Sequence, residues 1–374
     1  MDKNKKQVIV VGGGLAGLIS SIFLQRSGIN TVLIEKKTYP FHRVCGEYIS
    51  NEVKPFLKRM DLFPEHLNPS DLTRFNLSDI KGNLAELDLP LGGFGISRYQ
   101  FDEFLYQKAR EAGVEVKIKT EVIDTAFAEN EFTVSLKGGQ KLNADFVINA
   151  YGKRSKLDKT FERNFIKKKS PFLGVKYHAK IDFPKDVIGL YNFKGGYCGV
   201  SHVEDDKVNI CYLSRRENLK KYGDIVAMEE AVLYENPLLK ELLLNAEMLL
   251  EKPEVINEIS FEKKASVENH MLMAGDTAGL ITPLCGNGMA MAIHSGYLAS
   301  SIIVDFYHGE LNRESVESEY DKVWQHNFSK RLWVGRKTQN LFGNQLRAGL
   351  SIQFVNKFPS LAKKLIKQTH GEVF

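Results

Sequence analysis

Gly12, Gly14 and Gly17 stand at G-x-G-x-x-G spacing, and Glu35 follows 23 residues after the first of them. That pattern can hold a pyrophosphate against bare backbone and a ribose against a carboxylate. Gly12 permits the tight turn, Gly14 lets the phosphates approach, and Gly17 lets a helix close on a strand. Ala16 lies inside the same turn, and Lys36 directly follows the ribose acceptor. A second group with chemical potential is Arg43-Val44-Cys45-Gly46-Glu47. A thiol next to His42 and Arg43 sits where positive charge can make it reactive; the same residue type also serves as a small packing group.

The elements around these residues must place them. Val8–Val11 is a β-branched run suited to a strand buried on both faces. Leu15–Arg26 reads as a helix stopped by Gly28, and Thr31–Ile34 as a second strand closed by Glu35. The free N–H groups at the helix start then face a dianionic ligand. A membrane or signal segment after MDKNKK is the competing reading, but four glycines within six positions break the apolar run and no small-residue cleavage site follows.

Further on, Thr38–Ser50 reads as a loop and Asn51–Met60 as a helix. Thr73–Leu89 alternates as a hairpin with Gly82 in its turn. Gln100–Ala112 is an amphipathic helix with Phe101, Phe104, Leu105 and Ala109 on one face, and Val114–Ile118 a strand. A second hairpin turns at Gly138-Gly139, and Asp145–Ala150 is a buried strand. Val175–Ile181, Val187–Phe193, Tyr197–Val203 and Lys207–Leu213 follow without a comparable helix between them and read as one antiparallel sheet. Alternation puts Tyr197 and His202 on opposite faces of their strand. Leu219–Leu250 is helical with a break near Pro237, and Val255–Phe261 a strand. Leu272–Gly275 ends at Asp276, Pro283–Gly288 is a loop, and Met289–Tyr307 a long helix. The remainder is helical with a break near Pro359.

The fold class expected is therefore α/β: a Rossmann-like binding domain with an inserted antiparallel β-sheet substrate domain and a helical C-terminal region. The binding domain takes 1–72, 98–165 and 263–311, the substrate domain 73–97 and 166–262, and the helical region 312–374.

At 374 residues the chain has room for two or three domains, with 43% hydrophobic and 26% charged residues, an ordinary globular balance. No run of about 18 apolar residues occurs, so no transmembrane helix is expected. Four cysteines without C-x-x-C pairing argue against zinc or a disulfide framework and for a reducing compartment. Nothing points to nucleic acid or metal. The net charge of +5 is uneven: residues 330–374 carry +8 and the rest −3. The basic tail reads first as a helical cap over the substrate domain and second as a peripheral membrane contact.

GGGLAG…E at 12–35, NAYGKRS at 149–155 and AGDTAGLITPLCGNG at 274–288 together resemble group A flavoprotein monooxygenases of the p-hydroxybenzoate hydroxylase fold and their geranylgeranyl-reductase-like relatives. The resemblance covers about 1–310. The Arg43–Glu47 loop is similar to the cysteine–glycine loop of the reductase branch, which lies by the flavin ring. The resemblance implies FAD, bound extended, with NADPH or NADH as electron donor. It implies cofactor contacts from Arg98 at the phosphate or ribityl region, from Val122 near adenine, from Gly152, and from Asp276 by the ribityl chain. It also implies that Gly286, Asn287, Gly288 and Met289 present backbone N–H groups to the pyrimidine edge, where the helix dipole favours the charge that reduction adds. Arg43, Cys45 and Gly46 would lie along the ring, with Cys45 the candidate catalytic residue. Gly195–His202 departs from the Tyr, Trp and Phe-Pro series of archaeal lipid reductases. The signature of tryptophan halogenases is absent, since the only tryptophans are Trp324 and Trp333.

The function expected is NAD(P)H-driven monooxygenation of an apolar or aromatic small molecule. The alternatives are carbon–carbon double-bond reduction, halogenation, and a flavin electron carrier or scaffold at a membrane. The location expected is the cytoplasm or its membrane surface.

Overall fold

The computed structural model of the protein describes residues 7–257, 259–282, 286–339 and 342–374. Its first unit is the strand β1 (Gln7–Val11), the helix α1 (Leu15–Arg26) and the strand β2 (Asn30–Ile34). β1 lies in the middle of a six-stranded sheet, flanked in parallel by β2 and by Phe146–Asn149. Val8, Ile9 and Val10 are fully buried, as a central parallel strand covered on both faces requires. Glu115–Lys117 extends the sheet beyond β2, and Met271–Met273 beyond Phe146–Asn149. The hairpin at Gly138-Gly139 belongs to a separate three-stranded meander over residues 122–144.

The inserted sheet has nine strands. Phe172–Lys180, Val208–Arg215, Gly196–His202 and Val187–Phe193 run antiparallel in that order. The hairpin Ser70–Ser78 and Leu84–Gly95 joins it through a parallel pairing with Val187–Phe193. Tyr48–Ser50 pairs with Leu84–Gly95 at that edge, so the end of the expected Thr38–Ser50 loop is a strand. The Val255–Phe261 strand shrinks to Glu254–Ile256, and Glu258 lies outside the described residues. The expected helix over 219–250 is broken more than once, into Arg216–Tyr222, Ile225–Met228 with a π-helical turn, and Pro237–Leu244.

Gly288–Tyr307 is a 20-residue helix, apolar enough by length and composition to cross a membrane, a property the count of consecutive apolar residues did not register. It packs on α1 instead: a Cβ at Gly296 would sit 2.5 Å from the Ala16 carbonyl oxygen, and Ser20 donates to the Gly296 carbonyl at 2.9 Å. Small residues at that crossing let the two helices close. The helix Arg313–Gln339 covers its other side. The basic tail forms the helices Gln345–Lys357 and Pro359–Lys367, which lie on the Ser70–Gly95 hairpin. Their buried Ile352, Val355 and Ala362 join Leu190, Tyr197 and Leu213 of the inserted sheet in one apolar cluster. The tail therefore caps the sheet.

Candidate active site

One cavity of about 900 Å³ runs from the end of β2, across the start of α1, to the face of the inserted sheet. Two helix N-termini open into it. α1 begins after Gly14 with no side-chain cap and no acid in its first turn, and the helix at Gly288 begins in the same way. Their first N–H groups lack helical partners and carry the positive end of the dipole.

The glycines divide the work. Gly12 has φ +105°, and a Cβ there would lie 2.5 Å from the Ala150 carbonyl oxygen. A Cβ on Gly17 would lie 1.9 Å from the Gly12 carbonyl oxygen, so this residue closes helix on strand and does not line the cavity. Around Gly14 the nearest group is Arg98 Nη2, 3.6 Å from a built Cβ. The space over Gly14 is thus open to a ligand, with a guanidinium at its edge.

Glu35 is buried at the cavity wall, where its carboxylate accepts from Gly13 N–H at 2.8 Å and Lys37 N–H at 2.9 Å. Arg98 grips the fully buried Asp102 with two bonds of 2.7 Å, and Arg43 reaches the same carboxylate at 3.0 Å. Burial opposes charge on Arg98, but the Asp102 carboxylate outweighs it and raises the pKa, holding the guanidinium protonated. Gly152, with φ +92°, donates its N–H to Thr277 Oγ1 at 2.9 Å. That bond joins the end of the strand Phe146–Asn149 to the turn that holds Asp276. Lys264 spans the same junction, donating to the carbonyls of Lys153 at 3.0 Å and Asp276 at 2.7 Å, and burial pulls its pKa down to about 8.

Gly12, Gly14, Ala16, Glu35, Lys36, Arg43, Cys45, Gly46, Arg98, Val122, Gly152, Asp276, Gly286, Gly288 and Met289 all line this one cavity. Asn287 does not. Its side chain turns away, donating to Glu52 at 3.1 Å and to the Thr369 carbonyl at 3.0 Å. Pro283 and Cys285 lie outside the described residues.

On the sheet side the wall is mainly apolar, from Phe75, Ile188, Leu190 and Leu213, with Ser201 and Glu254 as polar groups on it. Tyr197 reaches it, whereas His202 points elsewhere and meets the Phe183 carbonyl at 2.7 Å, as strand alternation requires of the pair. Cys45 and Cys211 both line the cavity, and burial pushes the Cys211 thiol up to about 12.

Sequence reading missed the group behind the Cys45 loop. Glu47 is completely buried, ion-paired to Lys176, 2.6 Å from His178 Nε2, and accepts the Arg98 N–H at 2.8 Å. Burial alone would raise its pKa, but Lys176 and His178 pull it down to about 2.

A parallel βαβ unit with a bare-backbone turn, facing an inserted sheet across one cavity, defines an FAD-binding flavoprotein of the p-hydroxybenzoate hydroxylase and geranylgeranyl-reductase-like class. Residues 5–323 match the family model described as FAD binding domain, and the chain belongs to that family of FAD-dependent oxidoreductases. It is 26% identical to a digeranylgeranylglycerophospholipid reductase of Methanococcus vannielii, over 95% of this chain and 96% of that one. It is 23% identical to conditioned medium factor receptor 1 of Dictyostelium discoideum, over 91% of this chain and 71% of the other. Among solved structures, the flavin-dependent brominase Bmp2 superposes with a TM-score of 0.79 at 17% identity, covering 97% of this chain and 92% of the other.

Proposed function

We propose that this protein reduces a carbon–carbon double bond of an apolar, isoprenoid-type substrate, with NADPH or NADH as the electron donor. The observation that carries the reading is the sheet-side wall. Its described lining strands offer Phe75, Ile188, Leu190 and Leu213 beside the Cys211 thiol, with Tyr197, Ser201 and Glu254 as the polar groups and no lysine or arginine to hold an anionic substrate. The reductase relative, similar over nearly the full length of both chains, supports it. Bound FAD would supply the hydride for one carbon. The Cys45 thiol is then the group on the wall placed to give the proton to the other, and the apolar side chains exclude water.

In this reading Glu35 accepts the adenosine ribose, with Val122 and Lys36 at the adenine end. The N–H groups of Gly14, Leu15 and Ala16 at the start of α1 hold the pyrophosphate, with Arg98 beside it. Asp276 and Gly152 flank the ribityl chain. Arg43, Cys45 and Gly46 border the ring on one side, and the backbone of Gly286, Gly288 and Met289 faces it on the other.

Halogenation of an aromatic substrate is the second reading, favoured by the brominase-like fold. Monooxygenation, the first expectation from sequence, has less behind it, because the named enzymes compared are a reductase and a brominase. Mass spectrometry of the product separates the three. Incubation with NADPH and a geranylgeranyl lipid should add two hydrogens per double bond reduced. Gain of one oxygen, or of bromine when bromide is present with an aromatic acceptor, would overturn the reductase reading.

The tail supports a place at a membrane surface. Leu346, Leu350 and Phe354 recur every fourth residue on the outer face of Gln345–Lys357, and Leu361 and Leu365 continue the stripe. Residues 345–367 hold five bases and no acid. An apolar stripe in a basic surround suits the interface of an anionic bilayer, from which an apolar substrate can be drawn. The described cysteines 45, 198 and 211 are free, in keeping with the cytoplasm. Vesicles containing phosphatidylglycerol should sediment the protein, phosphatidylcholine vesicles much less, and L346S/L350S should weaken the partition by about tenfold. Equal sedimentation with both vesicle types would reject the electrostatic part.

A further inference from the structure

We propose that the segment Thr369–Phe374 is a strap that positions the loop Gly286–Gly288, and through it the N–H groups offered to the flavin ring. The inference rests on FAD occupying the cavity described above.

Two links tie the strap to the loop. Asn287 Nδ2 donates to the Thr369 carbonyl at 3.0 Å and to Glu52 at 3.1 Å. Tyr48 forms the second: its ring packs against Gly286, where a Cβ would lie 2.9 Å from Tyr48 Cδ1, and its hydroxyl lies 3.5 Å from His370 Nε2. Gly286 has φ +62° and itself lines the cavity.

The strap is seated by a buried anchor. Glu52, with no exposed surface, takes the Gly371 N–H at 2.5 Å and Arg331 Nη1 at 2.8 Å, while its own carbonyl takes the Phe374 N–H at 3.3 Å. A Cβ at Gly371 would come within 1.7 Å of Arg331 Nη2, so a side chain there would push the guanidinium off its bond to Glu52. The Phe374 ring stacks on His294 of the long helix at 3.9 Å and on Phe56 at 5.1 Å. The His294 contact lays the strap against the second turn of the helix that starts at Gly288, while Glu52, Arg331 and Phe56 hold it from neighbouring elements. That helix has no side-chain cap, so the orientation of its first amides is fixed from outside, by Asn287 and Tyr48. These residues are positioning residues: Asn287 does not line the cavity and acts through the backbone on either side of it.

The test uses the full chain with Gly371→Ala or Phe374→Ala. Losing one or two hydrogen bonds that order the loop should weaken FAD binding about tenfold, read by flavin fluorescence titration. The flavin midpoint potential should move to a more negative value, because fewer fixed amides meet the charge that reduction adds. A strap that serves only stability would lower the melting temperature and leave both FAD affinity and potential unchanged, and that result overturns the inference. Should Gly371→Ala not fold, Phe374→Ala decides, since it removes a ring without inserting an atom. Failure of the unaltered protein to take up FAD would overturn the cavity assignment and the strap with it; unchanged flavin properties in both variants would overturn the strap alone.

Discussion

Glu47→Ala is expected to destabilise the protein by about 3–5 kcal/mol, the cost of leaving a buried ion without its partner. The substitution strands Lys176, whose side chain has no exposed surface, and removes the acceptor of His178 and of the Arg98 N–H. Glu47 also sits at φ +54°, a left-handed conformation that non-glycine side chains rarely adopt, so the carboxylate is held there by its partners. Chemical denaturation of the variant and the parent measures the difference. The paired replacement Glu47→Met with Lys176→Met should cost less than Glu47→Ala alone, because no unpaired charge remains. The pH dependence has a definite sign. The folded pKa lies near 2, below the ordinary value of 4.5. The stability Glu47 contributes is therefore fully present above about pH 4.5 and is lost as pH falls towards 2. Glu47→Ala should flatten the acid limb of the stability curve over that window. An acid limb of unchanged steepness would show that other carboxylates govern it.

The same cluster shows where sequence stops being informative. The βαβ unit was legible because its signals are local: a β-branched run, glycines at fixed spacing, an acid at the end of the second strand. Most of the candidate ligand-facing positions belong to short motifs, Arg98 and Val122 rest on the family resemblance, and fifteen of the positions line one cavity. Glu47 and Lys176 lie 129 residues apart, and Glu52 and Arg331 lie 279 apart. No periodicity joins such pairs, and an isolated Glu or Lys reads as solvent-facing. One signal was present. In Phe172–Lys180, Lys176 and His178 alternate with Val175 and Tyr177, so the strand has a polar face. That face looks solvated until the FAD domain covers it. The Tyr48–Ser50 strand was hidden by its brevity and by the aperiodic, proline-containing loop before it. The parallel contact of Ser70–Ser78 with Val187–Phe193 joins segments more than a hundred residues apart, which alternation cannot specify. The strap is similar: Gly371 has no turn residue beside it and shows its purpose only against the Arg331 guanidinium.

Gly14→Ala and Gly17→Ala should part company, although both belong to one motif. A methyl on Gly14 meets nothing closer than Arg98 Nη2 at 3.6 Å, ordinary van der Waals contact, and the backbone there is extended. The folded protein without cofactor should accept it, with a melting temperature close to the parent. The methyl instead occupies the space that a pyrophosphate needs above the first turn of α1. FAD affinity should fall at least about a hundredfold, the loss of close amide contacts plus a direct clash. A methyl on Gly17 comes within 1.9 Å of the Gly12 carbonyl oxygen, where it is backbone and cannot yield. That variant should lose several kcal/mol of stability as α1 is forced off β1, before any question of cofactor arises. Thermal melts of cofactor-free protein and FAD titrations, run on both variants, give the pair of numbers. If Gly14→Ala binds FAD as the parent does, the pyrophosphate does not lie over the α1 N-terminus. The glycine spacing would then serve only to close helix on strand.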